Sequence, residues 1–218
     1  MELVDYVKEI FDARNFALAQ SFYATKSNPW CKPFTEDLPS ALKKVVNKLE
    51  RAPLKVSYEY KGSIGTGKLA DVFWFGCRHP DLAPSWQQGF YIVYLLSNDG
   101  KRLYLSLILG TEVVFTPQQL KEKAKDLKES KERIISKLEG DTAGVDGLKL
   151  DEFNFNMISL GGKSNLARAY EMANIFSIMY DSRNGIPTEE RLEHDLGKFL
   201  AVYKRCLTLF RDKVPNCR

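Results

Sequence analysis

Two glycine–lysine stretches are the first residues whose types and spacing could carry chemistry. Gly62-Ser-Ile-Gly-Thr-Gly67-Lys68-Leu69 matches the phosphate-binding spacing G-x-x-x-x-G-K at every position but the last. A Ser or Thr hydroxyl would ligate Mg²⁺ at that last position, and leucine cannot. Gly161-Gly-Lys163-Ser164 supplies the hydroxyl and a predicted helix behind it, yet Met157 stands where the first glycine belongs. Leu148-Lys-Leu-Asp151-Glu152 could pass for an accompanying acidic segment. A phosphate cradle also needs a helix N-terminus directly after the lysine, so that backbone N–H groups and the helix dipole face the anion. The residues after Lys68, LADVFWFGC, read instead as strand. A glycine-rich turn between strands is the better reading of 62–68, because glycine permits tight backbone angles and the close approach of a ligand.

Other chemistry finds less support. Cys31, Cys77, Cys206 and Cys217 are widely separated, and His79 and His194 are the only histidines, so neither a metal site nor a disulfide scaffold is expected. No compact acidic cluster with a following lysine suggests a nuclease, so no catalytic residues and no cofactor are assigned. The formal charge of +4 and a pI near 8.7 permit a nucleic-acid partner without demanding one. An aromatic share of 12% suits a protein that stacks on planar ligands as well as one with an aromatic core. The opening MELVDYVKEIFDARNF is charged and has no uninterrupted apolar stretch, so it does not read as a signal peptide. No run approaches the roughly 20 apolar residues of a membrane span, and a cytoplasmic protein is expected.

The elements that must position any site follow from hydrophobic periodicity. Leu3, Val7, Ile10 and Phe11 recur at helical spacing over residues 2–22, and Leu42, Val45, Val46 and Leu49 do so over Ser40 to Arg51. The stretch Ser27 to Pro39, with three prolines, reads as a loop. Leu54, Val56, Tyr58 and Tyr60 then alternate with polar residues, as in a half-buried strand. Val72 to Phe75 and Gly89 to Leu96 are rich in aromatic and β-branched residues, and Asn98-Asp99-Gly100 is a hairpin signal before the alternating leucines 103, 105, 107 and 109. A charged helix is predicted from Pro117 to Glu139, with later helices over Asn165 to Tyr180 and Thr188 to Arg211. The economical reading is one α+β domain over residues 1–218, its central antiparallel sheet of about four to five strands flanked by helices. N-terminal helices occupy 1–52, the sheet 53–110, and C-terminal helices 117–212.

Taken as a unit, Ser63-Ile64-Gly65-Thr66-Gly67-Lys68, Trp74-Phe75, Gly89-Phe90-Tyr91, Val93, Leu95 and the leucines of 103–109 resemble the McrB N-terminal domain family. Tyr170-Glu171-Met-Ala, Ile186-Pro187 and Asp195-Leu196 through Tyr203 fit the tail of that family. The resemblance spans residues 40–210. It implies the specificity module of a modification-dependent restriction system, which binds double-stranded DNA carrying a modified, methylated cytosine and flips that base into a pocket. An enclosed pocket reads a methyl group by bulk and by the base's hydrogen-bonding edge. By the resemblance, Trp74, Tyr91 and Leu95 wall the pocket, and the loop Gly65, Thr66, Gly67, Lys68 enters the gap left by the base. The family's best-known member has a tyrosine where this chain has Thr66, so Leu69 or Trp86 is a candidate to fill the gap. One pocket aromatic lies farther along the chain, with Phe153 and Phe155 as candidates. Lys61, Lys68, Lys101 and Arg102 border the strands and are either phosphate contacts or solvated turn residues. An AAA+ GTPase motor in cis and a separate nuclease subunit are the implied partners, outside these 218 residues. A nucleotide-binding or protein-interaction module is the alternative.

Overall fold

The computed structural model describes residues 1–20, 31–50, 58–66, 68–111, 116–140 and 153–210. Its centre is a five-stranded sheet in the order β1 (Glu59–Thr66), β2 (Lys68–Arg78), β3 (Phe90–Leu96), β4 (Arg102–Leu109) and β5 (Asn174–Asp181), every neighbour antiparallel. The helices are α1 (Leu3–Gln20), α2 (Leu38–Glu50), α3 (Pro117–Glu139), α4 (Asn165–Ala173) and α5 (Glu189–Phe210). This is the α+β architecture expected from the alternating apolar runs.

Strand alternation divides the sheet into two faces. Phe73, Phe75, Phe90, Tyr94, Leu105, Leu107 and Phe176 point to one, which is roofed by α1, α2 and α5. Phe34 meets Phe73 edge-on at 5.0 Å, Phe199 lies 5.3 Å from Phe176, and Phe210 lies 5.6 Å from Phe90. Several buried polar groups on this side are hydrogen-bonded, as burial favours. The Tyr203 hydroxyl accepts from the His79 N–H and donates to the Phe90 carbonyl, both at 3.0 Å. Tyr180 donates to Asp195 at 3.0 Å, and Arg191 pairs with the same carboxylate at 2.6 Å. Gly62 faces this layer, and a Cβ there would fall 1.8 Å from the Phe34 carbonyl oxygen, so only glycine lets the chain pass so close.

Several boundaries differ from the sequence reading. The expected strand at Leu54 and Val56 lies outside the described residues, and β1 begins at Glu59. The glycine-rich stretch 62–68 is not a loop. β1 runs through it to Thr66 and β2 starts at Lys68, so the turn is confined to the hairpin tip. Part of the loop expected over 27–39 is helical: a single π-turn, Pro33–Asp37, leads straight into α2 at Leu38. The helix expected over 165–180 ends at Ala173, and Asn174 turns to extended backbone (φ −60°, ψ 122°) to start β5. β4 otherwise has an unpaired edge there, and Ile175, Phe176 and Ile178 are residues that suit a pleated surface. The buried Asn174 fixes the switch: its carboxamide oxygen accepts from the Ser106 hydroxyl and its NH₂ donates to the Asn156 carbonyl at 3.1 Å. By contrast, α3 starts where Pro117 predicts, under a reciprocal cap in which Thr116 and Gln119 bond each other's backbone N–H.

Candidate functional site

The second face of the sheet carries a different set of side chains. Trp74 lies directly across from Leu95 in the β2–β3 ladder, and Tyr91 and Leu95 share its face, four residues apart on β3. The three residues nominated from the sequence are thus brought onto one surface. Between Trp74 and Arg78 on β2 stands Gly76, paired with Val93. A Cβ on Gly76 would lie 2.4 Å from the Ile92 oxygen and 2.9 Å from the Val93 Cα, so the position must stay bare. Gly76 and Val93 put little bulk on this face, and the larger Trp74, Tyr91 and Arg78 outline a recess around them whose floor is buried, with Val93 1% exposed.

Two further rings complete it. Tyr170 of α4 reaches over the strands and its hydroxyl accepts a hydrogen bond from the Trp74 indole N–H. Trp86, from the segment between β2 and β3, lies 5.2 Å from the Trp74 ring and meets Tyr91 edge-on at 5.1 Å. The Tyr91 hydroxyl donates to the Trp86 carbonyl at 2.9 Å. Arg78 stands 5.8 Å from the centre of the Trp86 ring while its guanidinium bonds the Ala83 carbonyl and Glu59. Burial raises the Tyr170 phenol to about 12 and holds Tyr91 well above its ordinary value, so both remain neutral donors at physiological pH.

Phe153 and Phe155, the candidates for the missing aromatic, belong to the opposite face. Phe153 packs 4.6 Å from Phe176 and 5.2 Å from Phe199, and Phe155 lies 5.6 Å from Phe176. The further ring beside Trp74 is Tyr170. Its signal was available in the sequence: it lies three residues from both Ala167 and Ala173, on the buried stripe of α4.

The nominated loop is a projecting β-ribbon. Pairing of β2 with β3 begins only at Phe73↔Leu96, so residues 68–72 and their β1 partners extend past the end of β3. Gly65 sits at φ 109°, a conformation open to glycine, beside a register shift between Ser63 and Gly65. Gly67 and the side chains of Thr66 and Lys68 lie outside the described residues. Leu69 is partly buried against the core. The bulged stretch of β2 lets Asp71 accept the Ser164 N–H at 2.6 Å, at the start of α4.

That bond also bears on the phosphate-site reading. The helix that follows Gly-Gly-Lys-Ser has the Asp71 carboxylate on the N–H of its N-cap Ser164 and the Ser164 hydroxyl on the Ala167 N–H, and the other glycine–lysine stretch is followed by a strand. Neither presents a free helix N-terminus to an anion.

The basic residues separate into two groups. Lys61 is exposed on edge strand β1 and pairs with Gly76, which places it on the recess side of the sheet. Lys101 is exposed at the β3–β4 turn, whereas Arg102 faces Asp99 at 3.7 Å and pairs in register with Asp181. Among the described residues no group of three His, Cys, Asp or Glu side chains is placed to hold a metal, and no helix is long and apolar enough to cross a membrane. Cys31, Cys77 and Cys206 are buried thiols.

The domain is thus a sheet with one face packed under α1, α2 and α5 and, on the other, a cluster of Trp74, Trp86, Tyr91 and Tyr170. The chain belongs to the MrcB-like, N-terminal domain family, which it matches over residues 14–208. That membership fits a DNA-binding specificity module of a restriction system rather than a catalytic domain. No curated protein matches the chain at a significant level.

Proposed function

We propose that this domain reads DNA carrying a modified, methylated cytosine by receiving the flipped base in the recess of Trp74, Tyr91 and Leu95, with Tyr170 as a further wall. The observation that carries the reading is the convergence of Trp74, Tyr91 and Tyr170, from three separate elements, on one patch beside a projecting ribbon. Stacking on such rings contributes on the order of 1–3 kcal/mol per base, which offsets most of an unpairing cost of a few kcal/mol. Extra bulk from a methyl group then tips the balance between flipped and unflipped states. The ribbon tip, Gly65 to Lys68, enters the duplex where the base has left. Lys61 and Lys101 contact phosphates, and Arg102 contributes less because Asp99 already pairs with it. In this reading a GTPase motor and a nuclease subunit supply the enzymatic steps, in a cytoplasmic restriction complex active against phage DNA.

The test is a binding titration of otherwise identical methylated, hydroxymethylated and plain duplexes. A preference for a modified duplex is expected, and Trp74→Ala removes it while leaving weak, salt-sensitive binding. Equal affinity of the unaltered protein for all three duplexes sinks the proposal.

A further inference from the structure

Trp86 stands where the recess should be open. Its ring touches Trp74 on one side and Tyr91 on the other, and Arg78 approaches it from the end of β2. Those are the residues that frame the floor at Gly76 and Val93. An indole is planar, stackable and close in size to a nucleobase, so a flipped base and the Trp86 ring compete for one place.

The two tryptophans are held differently. Trp74 is locked in mid-sheet, paired with Ser63 on one side and Leu95 on the other, with its N–H committed to Tyr170. Trp86 lies in the connection between β2 and β3, outside the strand ladder, and like Trp74 it is half-buried. The backbone around it is fixed: the Tyr91 hydroxyl holds the Trp86 carbonyl at 2.9 Å, Gln88 N–H bonds the Ser85 carbonyl at 3.3 Å, and the Leu82 and Ala83 N–H groups bond the His79 carbonyl. Displacing the ring therefore asks for rotation of the Trp86 side chain away from Trp74, Tyr91 and Arg78, with these backbone bonds kept.

We infer that Trp86 is a specificity-determining residue of this recess: a resident ring that fills the base's place in the free protein and is expelled by the incoming base. The inference rests on the modified-base reading given above. Occupancy by Trp86 lowers the fraction of protein ready to accept a base, and apparent affinity falls by that same fraction. Every flipped base meets this penalty, while binding through phosphates alone does not. A base with weak contacts in the recess fails to displace the ring and is left in the duplex, whereas one with an added methyl contact passes.

The experiment compares the unaltered protein, Trp86→Ala and Trp86→Phe on methylated and plain duplexes, with and without free indole. The unaltered protein is measured first, and its failure to distinguish the duplexes overturns the modified-base reading itself. Given that preference, Trp86→Ala is expected to bind the methylated duplex about three- to ten-fold more tightly, the range an aromatic contact of this kind supports. Trp86→Phe, which keeps a ring for folding, gains less. Free indole, seated in the space vacated in Trp86→Ala, reverses the gain by competition, much as small apolar ligands fill engineered cavities. Weaker binding of the methylated duplex by Trp86→Ala, restored in Trp86→Phe, overturns the inference and makes Trp86 a fixed wall. So does indole that binds Trp86→Ala, as followed by heat of binding, yet leaves its affinity for methylated DNA unchanged.

Discussion

The two faces of the sheet use aromatic residues to opposite ends. Under α1, α2 and α5, rings interlock with one another: Phe153, Phe176 and Phe199 form a triangle with centroids 4.6 to 5.3 Å apart, and Phe75 stacks on Tyr94 at 4.6 Å. On the other face the rings are Trp and Tyr, each with a polar handle, and they surround Gly76, which lets the neighbouring strand approach closely. The first arrangement maximises buried apolar area, whereas in the second the polar handles tie the rings together, Trp74 N–H to Tyr170 and the Tyr91 hydroxyl to the Trp86 carbonyl. An aromatic count alone therefore says little. What separates the two faces is that the small Gly76 and Val93 are covered not by a strand or helix ring but by Trp86 from the β2–β3 connection.

The sharpest way to break this comparison is to damage the sealed face. Phe199→Ala removes a fully buried ring from the Phe153–Phe176 triangle and is expected to destabilise the fold by about 3–5 kcal/mol. The protein that remains folded should keep its preference among duplexes. Chemical denaturation measures the first quantity, and titration below the unfolding transition measures the second. Loss of preference without loss of stability would mean that the two faces are not separate in function.

The fold was legible in the sequence to the extent that one element supplied its own signals. Pro117 after Thr116 with Gln119 at the third helical position marks the start of α3, and the Asn98-Asp99-Gly100 turn fixes the β3–β4 hairpin. β5 was not legible, because Asn174 to Asp181 carries apolar residues at positions a helix would also accept, and only the open edge of β4 decides the matter. The recess shows the same division. Trp74, Tyr91 and Leu95 could be placed on one face by period two within neighbouring strands. Spacing from Ala167 and Ala173 could put Tyr170 on the buried stripe of α4. The face that stripe covers, and the position of Trp86, depend on the path of α4 and of the β2–β3 connection, which no local pattern records.

A smaller effect probes the recess through Tyr170. Tyr170→Phe keeps the ring but deprives the Trp74 N–H of its acceptor, at a cost of about 1 kcal/mol in stability and a few-fold weakening of preference. The pH dependence carries an independent sign. An unfolded tyrosine titrates near pH 10, and burial raises Tyr170 to about 12 in the folded protein. The folded state therefore holds its proton more tightly. That contribution to stability is complete below the unfolded value and is lost as pH rises through the folded one. Melting temperature should thus fall above about pH 10 and fall less steeply in Tyr170→Phe. Identical alkaline profiles for the two proteins would show that Tyr170 is not sequestered.

The smallest expected effect separates recognition from attachment. Lys61 lies on the edge strand directly across from Gly76, exposed and on the recess side, so it is placed to touch a phosphate flanking a flipped base. Lys61→Gln removes one counterion-releasing contact, and the slope of log affinity against log salt should fall by about 0.9 for every duplex alike. The ratio of affinities for methylated and plain DNA should hold, because a phosphate contact carries no information about the base. A changed ratio at constant slope would mean that Lys61 reaches into the recess and reads the base itself. The division between a face that recognises and an edge that attaches would then have to be redrawn one strand further out.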